Sequence, residues 1–177
     1  MSQTSYSINI PAVSYPGQLA DGSNFKDVLS ALAVAAAIVF GTLVVTDESN
    51  TGGFDALAGR APSASGDITA VGAQLGVAVA NQALAQNPSV SNPQYPLNYA
   101  VPCLRKGRIW VLAEEGVVDG VAPYVRFTAN GSFVPGVPGA FRASADSGKA
   151  AQLASGQALY RGSYAAAGYA VVECAFV

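Results

Sequence analysis

The chain contains no histidine and little charge of either sign. Its 177 residues include no His, and Asp, Glu, Lys and Arg together make up 11%. Histidine is the commonest general base and metal ligand, so its absence excludes Ser–His–Asp or Cys–His catalysis within this chain, and histidine-built zinc sites. Phosphate-binding GxxxxGK[ST] and dinucleotide-binding GxGxxG loops are also lacking. The sequence therefore predicts a protein that is not an enzyme and that holds no cofactor and no metal.

Paired carboxylates are the remaining route to acid–base chemistry. Glu114 and Glu115 are adjacent, with Asp119 close by. Because neighbouring residues of a strand point to opposite faces, the two glutamates are not expected to converge, and we predict that they lie at a solvated strand end and turn. The five acidic residues between positions 21 and 55 lack the dense spacing of a calcium loop, so no calcium site is expected.

The few basic residues are dispersed. Nine Lys and Arg are scattered from Lys26 to Arg161, and the formal net charge is −2. Nucleic acids and anionic membranes are bound by clustered cations, so neither is expected as a direct partner. Hydrophobic residues make up 51% of the chain. Because a free monomer normally needs more surface charge to stay soluble, we expect other subunits to cover part of the surface.

Two features could be mistaken for a cross-link and a membrane anchor. Cys103 and Cys174 are 71 residues apart, which matches no short-spacing zinc or redox motif, and we predict free, buried thiols. A disulfide remains the alternative if their Cα atoms lie within about 7 Å. Residues 28–45 are eighteen uncharged residues, but alanines, Ser30 and Gly41 dilute their hydrophobicity, so a buried core segment is favoured over a span.

The first 24 residues have the pattern of an extended arm. Tyr6, Ile8 and Ile10 alternate with polar residues, and prolines follow at Pro11 and in Tyr15-Pro16-Gly17. Proline and glycine at these positions argue against a regular helix. We therefore divide the chain into an extended arm over residues 1–24 and a β-rich domain over residues 25–177.

The rest of the chain reads as short strands separated by turns. Val28, Leu32 and Ala36 have a spacing that suits a short helix within residues 24–37. β-Branched or alternating runs then predict strands at 38–45, 71–80, 107–114, 122–128, 158–161 and 168–177, with long loops at 48–67 and 86–96. In the last strand, we expect Ala170, Val172, Cys174 and Phe176 to share one face and Glu173 to lie on the other. Many short strands with Gly/Pro turns predict a mainly β sandwich or barrel.

The order of short motifs resembles one known family. Residues 15–21 (YPGQLAD) are similar to the "P-G-x-x-A-D" opening of phage structural cement proteins. Residues 38–44 (IVFGTLV), 76–78 (GVA), 106–111 (KGRIWV) and 170–173 (AVVE) follow in the family's order. The resemblance spans roughly residues 12–177. It implies a jelly-roll-like domain on the outside of an icosahedral capsid, with no catalytic residues. The implied partners are the major capsid protein and sister subunits, as a homodimer or homotrimer. The implied location is the virion, assembled in the host cytoplasm.

An extended arm can bind a neighbour by adding a strand to its sheet edge. We therefore expect the arm, together with one of the two long loops, to form the capsid or subunit interface. The expected contact residues are Tyr6, Ile8, Ile10, Tyr15, Pro16, Gly17, Gln18, Leu19 and Asp21.

Tyrosines near loops, such as Tyr95 and Tyr99, could either join such an interface or fix loops to the chain's own core. A tail or fibre adhesion module, a small carboxylate hydrolase and a pilus or surface-layer subunit are the alternative readings.

Overall fold

A computed structural model of the chain describes residues 15–20, 27–47, 57–81 and 93–176. These residues form a mainly β structure with one short helix. The strands are β1 Asp27–Ala33, β2 Ile38–Val39, β3 Leu43–Thr46, β4 Ala58–Arg60, β5 Gln74–Ala78, β6 Gln94–Tyr95, β7 Ala100–Ala113, β8 Tyr124–Arg126, β9 Phe141–Arg142, β10 Ala150–Gln152, β11 Ala158–Arg161 and β12 Gly168–Ala175. Helix α1 is Ser65–Thr69, and a 3-10 turn covers Asp146–Gly148.

Strand β7 organises the molecule because two sets of strands share it. Its first half pairs antiparallel with β1, from Asp27↔Lys106 to Leu32↔Ala100, and with β5 at Ala78↔Cys103. Its second half pairs antiparallel with β12 over eight residues, and its last residue, Ala113, meets β9. A single long strand therefore links the two halves of the fold.

The first half is a closed barrel of five strands. The pairing runs β1–β4–β3–β5–β7 and returns from β7 to β1, with only the β1–β4 pair parallel. Ala31, Val44 and Leu75 converge around Gly59, whose small size suits the narrow barrel interior. Closure leaves these five strands without open edges. The barrel alternative of the sequence prediction is thereby confirmed.

The second half is a sheet that covers one side of a larger core. Strands β9, β8 and β10 extend from one end of β7, while β12 pairs along β7 and β11 pairs with β12. The predicted alternation in the last strand is confirmed, because Val172 and Phe176 are fully buried and Glu173 lies on the opposite face. The side chains of Val172 and Phe176 belong to the same buried cluster as Ile109 and Tyr160.

Three local predictions were wrong in detail. Residues 27–33 form strand β1 rather than part of a helix, because pairing with β4 and β7 outweighs their helical spacing. The run at 38–45 is split into β2 and β3 by a turn at Gly41, which has a φ of 71°. The loop predicted at 48–67 contains β4 and most of α1, and the 86–96 loop ends in β6.

The two cysteines are free and buried, as predicted. Among the described residues, no helix has both the length and the apolar character needed to cross a membrane.

Candidate interaction surfaces and a buried ionic cluster

Residues 15–20, here called the N-terminal segment, lie along the second half of β7. The Gly17 amide donates to the Trp110 carbonyl at 2.7 Å, and the Trp110 amide donates to the Gln18 carbonyl at 2.7 Å. The Ala20 amide donates to the Arg108 carbonyl, and Leu19 forms an antiparallel bridge with Ile109. This part of the predicted arm is therefore fixed to the chain's own sheet.

A cluster of tilted aromatic rings holds the start of the N-terminal segment. The ring centroids of Tyr15 and Phe40 lie 6.3 Å apart, and those of Phe40 and Tyr95 lie 4.8 Å apart. The Tyr95 hydroxyl donates to the Val79 carbonyl at 2.6 Å, and burial raises the pKa of Tyr95 to about 12. Tyr95 therefore fixes its own loop to the core. The hydroxyl of Tyr15 is buried and has no hydrogen-bond partner. Burial is the main influence that raises the pKa of Tyr15, and the nearby Tyr169 raises it as well.

The structure separates the predicted contact residues into three groups. Gly17 is buried against its own chain, whereas Gln18 is exposed. Leu19 is half-buried, and its backbone N–H and C=O point away from β7, since its neighbours make the hydrogen bonds to that strand. Tyr15 and Pro16 are half-buried. The remaining predicted contacts lie outside the described residues: Tyr6, Ile8, Ile10 and Asp21.

The sheet of β7, β12 and β11 has a second face that points away from the core. Alternation along the three strands buries every second side chain and leaves the others half-buried or exposed. We call these side chains the outer face: Lys106, Arg108, Trp110, Leu112, Leu159, Arg161, Tyr169, Val171, Glu173 and Ala175. The alternation of the last strand predicted one face of β12, but no sequence signal indicated this three-strand surface as a unit.

Two arginines of the outer face share one carboxylate. Glu173 Oε2 accepts from Arg161 Nε at 2.7 Å and from Arg108 Nε at 3.0 Å. The hydrogen bond from Arg161 is the largest influence that lowers the pKa of Glu173, and the bond from Arg108 lowers it as well. Lys106 is exposed, and no described residue pairs with its ammonium group. The three cations therefore exceed the single carboxylate of this face.

A buried ionic cluster lies at the end of β7. Arg126 Nη2 contacts Glu114 Oε2 at 2.6 Å, and Arg142 Nη1 contacts the same oxygen at 3.0 Å. Arg126 also contacts Asp146 at 2.7 Å, and both guanidinium groups lie over the Phe133 ring. The side chains of Glu114 and Arg126 are fully buried. Each buried charge thus has a partner of opposite sign, as burial requires.

The cluster corrects the prediction made for the two glutamates. Glu114 is buried rather than solvated, and Glu115 also reaches Arg142, at 3.0 Å. Strand β7 ends at Ala113, so strict alternation no longer separates the pair. The one available signal was Arg126, an arginine within a run of strand formers. Sequence alone could not show which acid would meet it.

The ion pairs of the cluster have a structural role. Hydrogen bonding to Glu114 is the largest influence raising the pKa of Arg126. The Asn130 side chain, followed by Arg126, lowers the pKa of Asp146. Both carboxylates are engaged by guanidinium groups, and the cluster holds the chain from Arg126 to Asp146 against the end of β7. Within the described ranges, no group of His, Cys, Asp and Glu could hold a metal ion.

An open pocket of about 770 Å³ lies beside helix α1. Its polar lining includes Asp47, Arg60 and Asp67, with Arg60 Nη1 contacting Asp67 Oδ2 at 2.8 Å. Hydrogen bonding to Arg60 is the largest influence that lowers the pKa of Asp67, to about 2. The same carboxylate accepts from the backbone amides of Ser63 and Ala64. The charges in this pocket therefore fix the start of α1.

A comparison with solved structures found a chain of similar fold. The fold is similar to that of a chain in the structure titled "The capsid of Myoviridae Phage XM1", with a TM-score of 0.63 and 12% sequence identity. The similarity covers 99% of this chain and 100% of the other. At that identity it shows a shared fold. A search of curated proteins gave no match.

The sequence itself carries the family assignment. Residues 2–175 match the family described as structural cement protein (E217 gp24/Pam3 gp6). The match spans nearly the whole chain, so the chain belongs to this family and has a structural, cementing role in the phage virion. The resemblance read from the short motifs is thereby confirmed.

Proposed function

We propose that the protein binds the outside of an icosahedral phage capsid and stabilises the joints between capsomers of the major capsid protein. Sister subunits, as a homodimer or homotrimer, would complete the contacts, and attachment would follow assembly in the host cytoplasm. The observation that carries this proposal is the family match over residues 2–175. Repetition over the shell would hold each subunit by several weak contacts at once.

We further propose that residues 1–24 supply one of those contacts by adding a strand to a neighbour's sheet edge. The N-terminal segment supports this, because its hydrogen bonds to Trp110 and Arg108 fix the point from which the preceding residues depart. At Leu19, the backbone N–H and C=O face away from β7, where a neighbouring strand could pair with them. Backbone pairing supplies affinity in this mode, and alternate side chains supply specificity.

The alternation of the first ten residues gives a sharp test. A bound strand buries one face, so replacing Tyr6, Ile8 and Ile10 together by Ser should strongly reduce binding to the capsid. The matched control replaces the intervening Ser5, Ser7 and Asn9 by Ala and should leave binding unchanged. The measurement is the occupancy of each variant on purified phage heads, imaged by cryo-electron microscopy.

Two outcomes would count against the proposal in different ways. Equal occupancy of the two triple variants would show that the first ten residues are not part of the interface. Recovery of the wild-type protein with tails rather than heads would instead favour the adhesion module and overturn the proposed location. A deletion of residues 2–14, which leaves the N-terminal segment intact, should lose binding but keep the unfolding midpoint of the wild type.

A further inference from the structure

The outer face has a composition that a solvated sheet face does not require. In a half-exposed antiparallel sheet, the side chains pointing away from the core are normally polar. Here five of them are large and apolar or aromatic: Trp110, Leu112, Leu159, Tyr169 and Val171. Tryptophan, tyrosine and arginine are the residues most enriched at the energetic centres of protein interfaces. The surface therefore has the make-up of a binding face.

The charges of the outer face are opposite in sign to those of the whole chain. Lys106, Arg108 and Arg161 face one carboxylate, that of Glu173, although the chain has a net charge of −2. Two acids lie at the margins of the face. Asp119 is near Arg161, and Asp27 lies opposite Lys106 in the β1–β7 ladder, where Arg105 contacts it at 3.8 Å. The cations of the face and its margins still outnumber the acids by one. A second copy packed face to face about a twofold axis would bring like charges together, which disfavours such pairing. Charge complementarity instead favours an acidic partner.

We propose that the outer face of β7, β12 and β11 is a second docking surface, and that it binds an acidic surface patch of the capsid shell protein. This inference rests on the proposed function, because it names the chemistry of the partner already proposed. The aromatic side chains would supply the buried centre of the contact, and Lys106 and the two arginines would supply its charged rim. The substitutions that test this surface change none of residues 1–14, so the two contacts can be tested independently.

The test uses phage heads that lack this protein, prepared from a phage in which the gene for the protein is deleted. Purified protein is then added to these heads. The charge-reversal pair Lys106→Glu with Arg161→Glu should weaken binding about ten-fold or more, because rim charges steer and hold an acidic partner. The variant Tyr169→Ala should weaken it by a similar factor, because it removes an aromatic anchor. Wild-type binding should fall as salt is raised, and the charge-reversed variant should show a shallower dependence.

The matched control is Lys149→Glu, which reverses a charge beyond the 3-10 turn Asp146–Gly148 and outside the outer face. It should bind like the wild type. Circular dichroism must show the wild-type fold for every variant. Arg161→Glu brings a like charge to Glu173, so a small fall in the melting temperature of the charge-reversed variant is expected.

The possible results separate this inference from the proposed function. If the wild-type protein binds heads and the folded outer-face variants bind equally well, the docking surface is overturned while the proposed function stands. If the wild-type protein does not bind heads at all, both fail. If the wild-type protein forms oligomers in solution that Tyr169→Ala dissolves, the occupant of the face is a second copy, and the acidic shell partner is excluded.

Discussion

Gly17 and Gly41 lie so close that neither can carry a side chain. A Cβ on Gly41 would stand 2.8 Å from the backbone nitrogen of Gly17, and a Cβ on Gly17 would stand 3.0 Å from that of Gly41. Both residues also have positive φ angles, 81° and 71°. This contact seats the N-terminal segment against the turn between β2 and β3. Gly17 belongs to the YPGQLAD motif at residues 15–21, and Gly41 belongs to the IVFGTLV motif at residues 38–44.

Replacing Gly17 by Ala should therefore destabilise the protein. The added Cβ would lie 2.7 Å from the backbone nitrogen of Ala80, and the backbone would have to move or leave its left-handed conformation. We expect a loss of about 2–4 kcal/mol in the free energy of unfolding, measured by urea denaturation. The control is Gly66→Ala in α1, where nothing lies within 4 Å of the new Cβ. It should stabilise by up to about 1 kcal/mol. Equal effects at the two positions would contradict the close contact.

The buried ionic cluster should depend on Glu114 far more than on Glu115. Glu114→Gln leaves Arg126 and Arg142 without their shared carboxylate, and an uncompensated buried charge costs about 3–5 kcal/mol. Glu115→Gln should cost about 1 kcal/mol, since that side chain is 30% exposed. The measurement is the free energy of unfolding of both variants in guanidinium chloride. If the Glu114→Gln protein were as stable as the Glu115→Gln protein, the shared carboxylate of Glu114 would not be what stabilises the cluster.

The ionised carboxylate of Asp67 should stabilise the folded protein at neutral pH, and this contribution should be lost at acidic pH. Its pKa in the folded protein is about 2, below its usual 3.8, chiefly because Arg60 donates to it. A lowered folded-state pKa stabilises the protein above the unfolded pKa, and this contribution disappears as the pH falls from about 4 to about 2. Because the pair is partly exposed, we expect about 1 kcal/mol from it at neutral pH.

The check is the difference in melting temperature between the wild type and Asp67→Asn as a function of pH. The difference should narrow below about pH 4 and nearly vanish at about pH 2. Other acids with lowered pKa values, Asp146 and Glu173, titrate in both proteins, so the comparison isolates Asp67. A constant difference across this range would show that Asp67 acts without its charge.

The two thiols should be unreactive until the protein unfolds. Both are buried, and burial raises the pKa of Cys103 to about 12 and that of Cys174 further. Because the thiolate is the reactive form, a thiol reagent at neutral pH should label neither residue in the folded protein. Labelling in urea should reach two thiols per chain. Rapid labelling of the native protein would contradict this burial.

Local patterns predicted those features that depend on residues close together in the chain. β-Branched runs and Gly/Pro turns indicated a mainly β fold, and strict alternation from Gly168 onward gave the buried face of β12. The missing histidine excluded whole classes of site. The motif order indicated the family. Each of these follows from composition or from the period-2 geometry of a strand, so a single segment carries the information.

Only the tertiary structure decided which distant segments meet. Strand β1 forms because β4 and β7 both pair with it, although its own spacing suits a helix. Glu114 is buried because two arginines, 12 and 28 residues away, converge on it. The outer face exists because β7, β12 and β11 align in one register. Composition and local spacing determined the class of fold and the absence of histidine chemistry. Barrel closure, charge pairing and the binding face are non-local, because their energies arise only when the folded chain brings separate strands together.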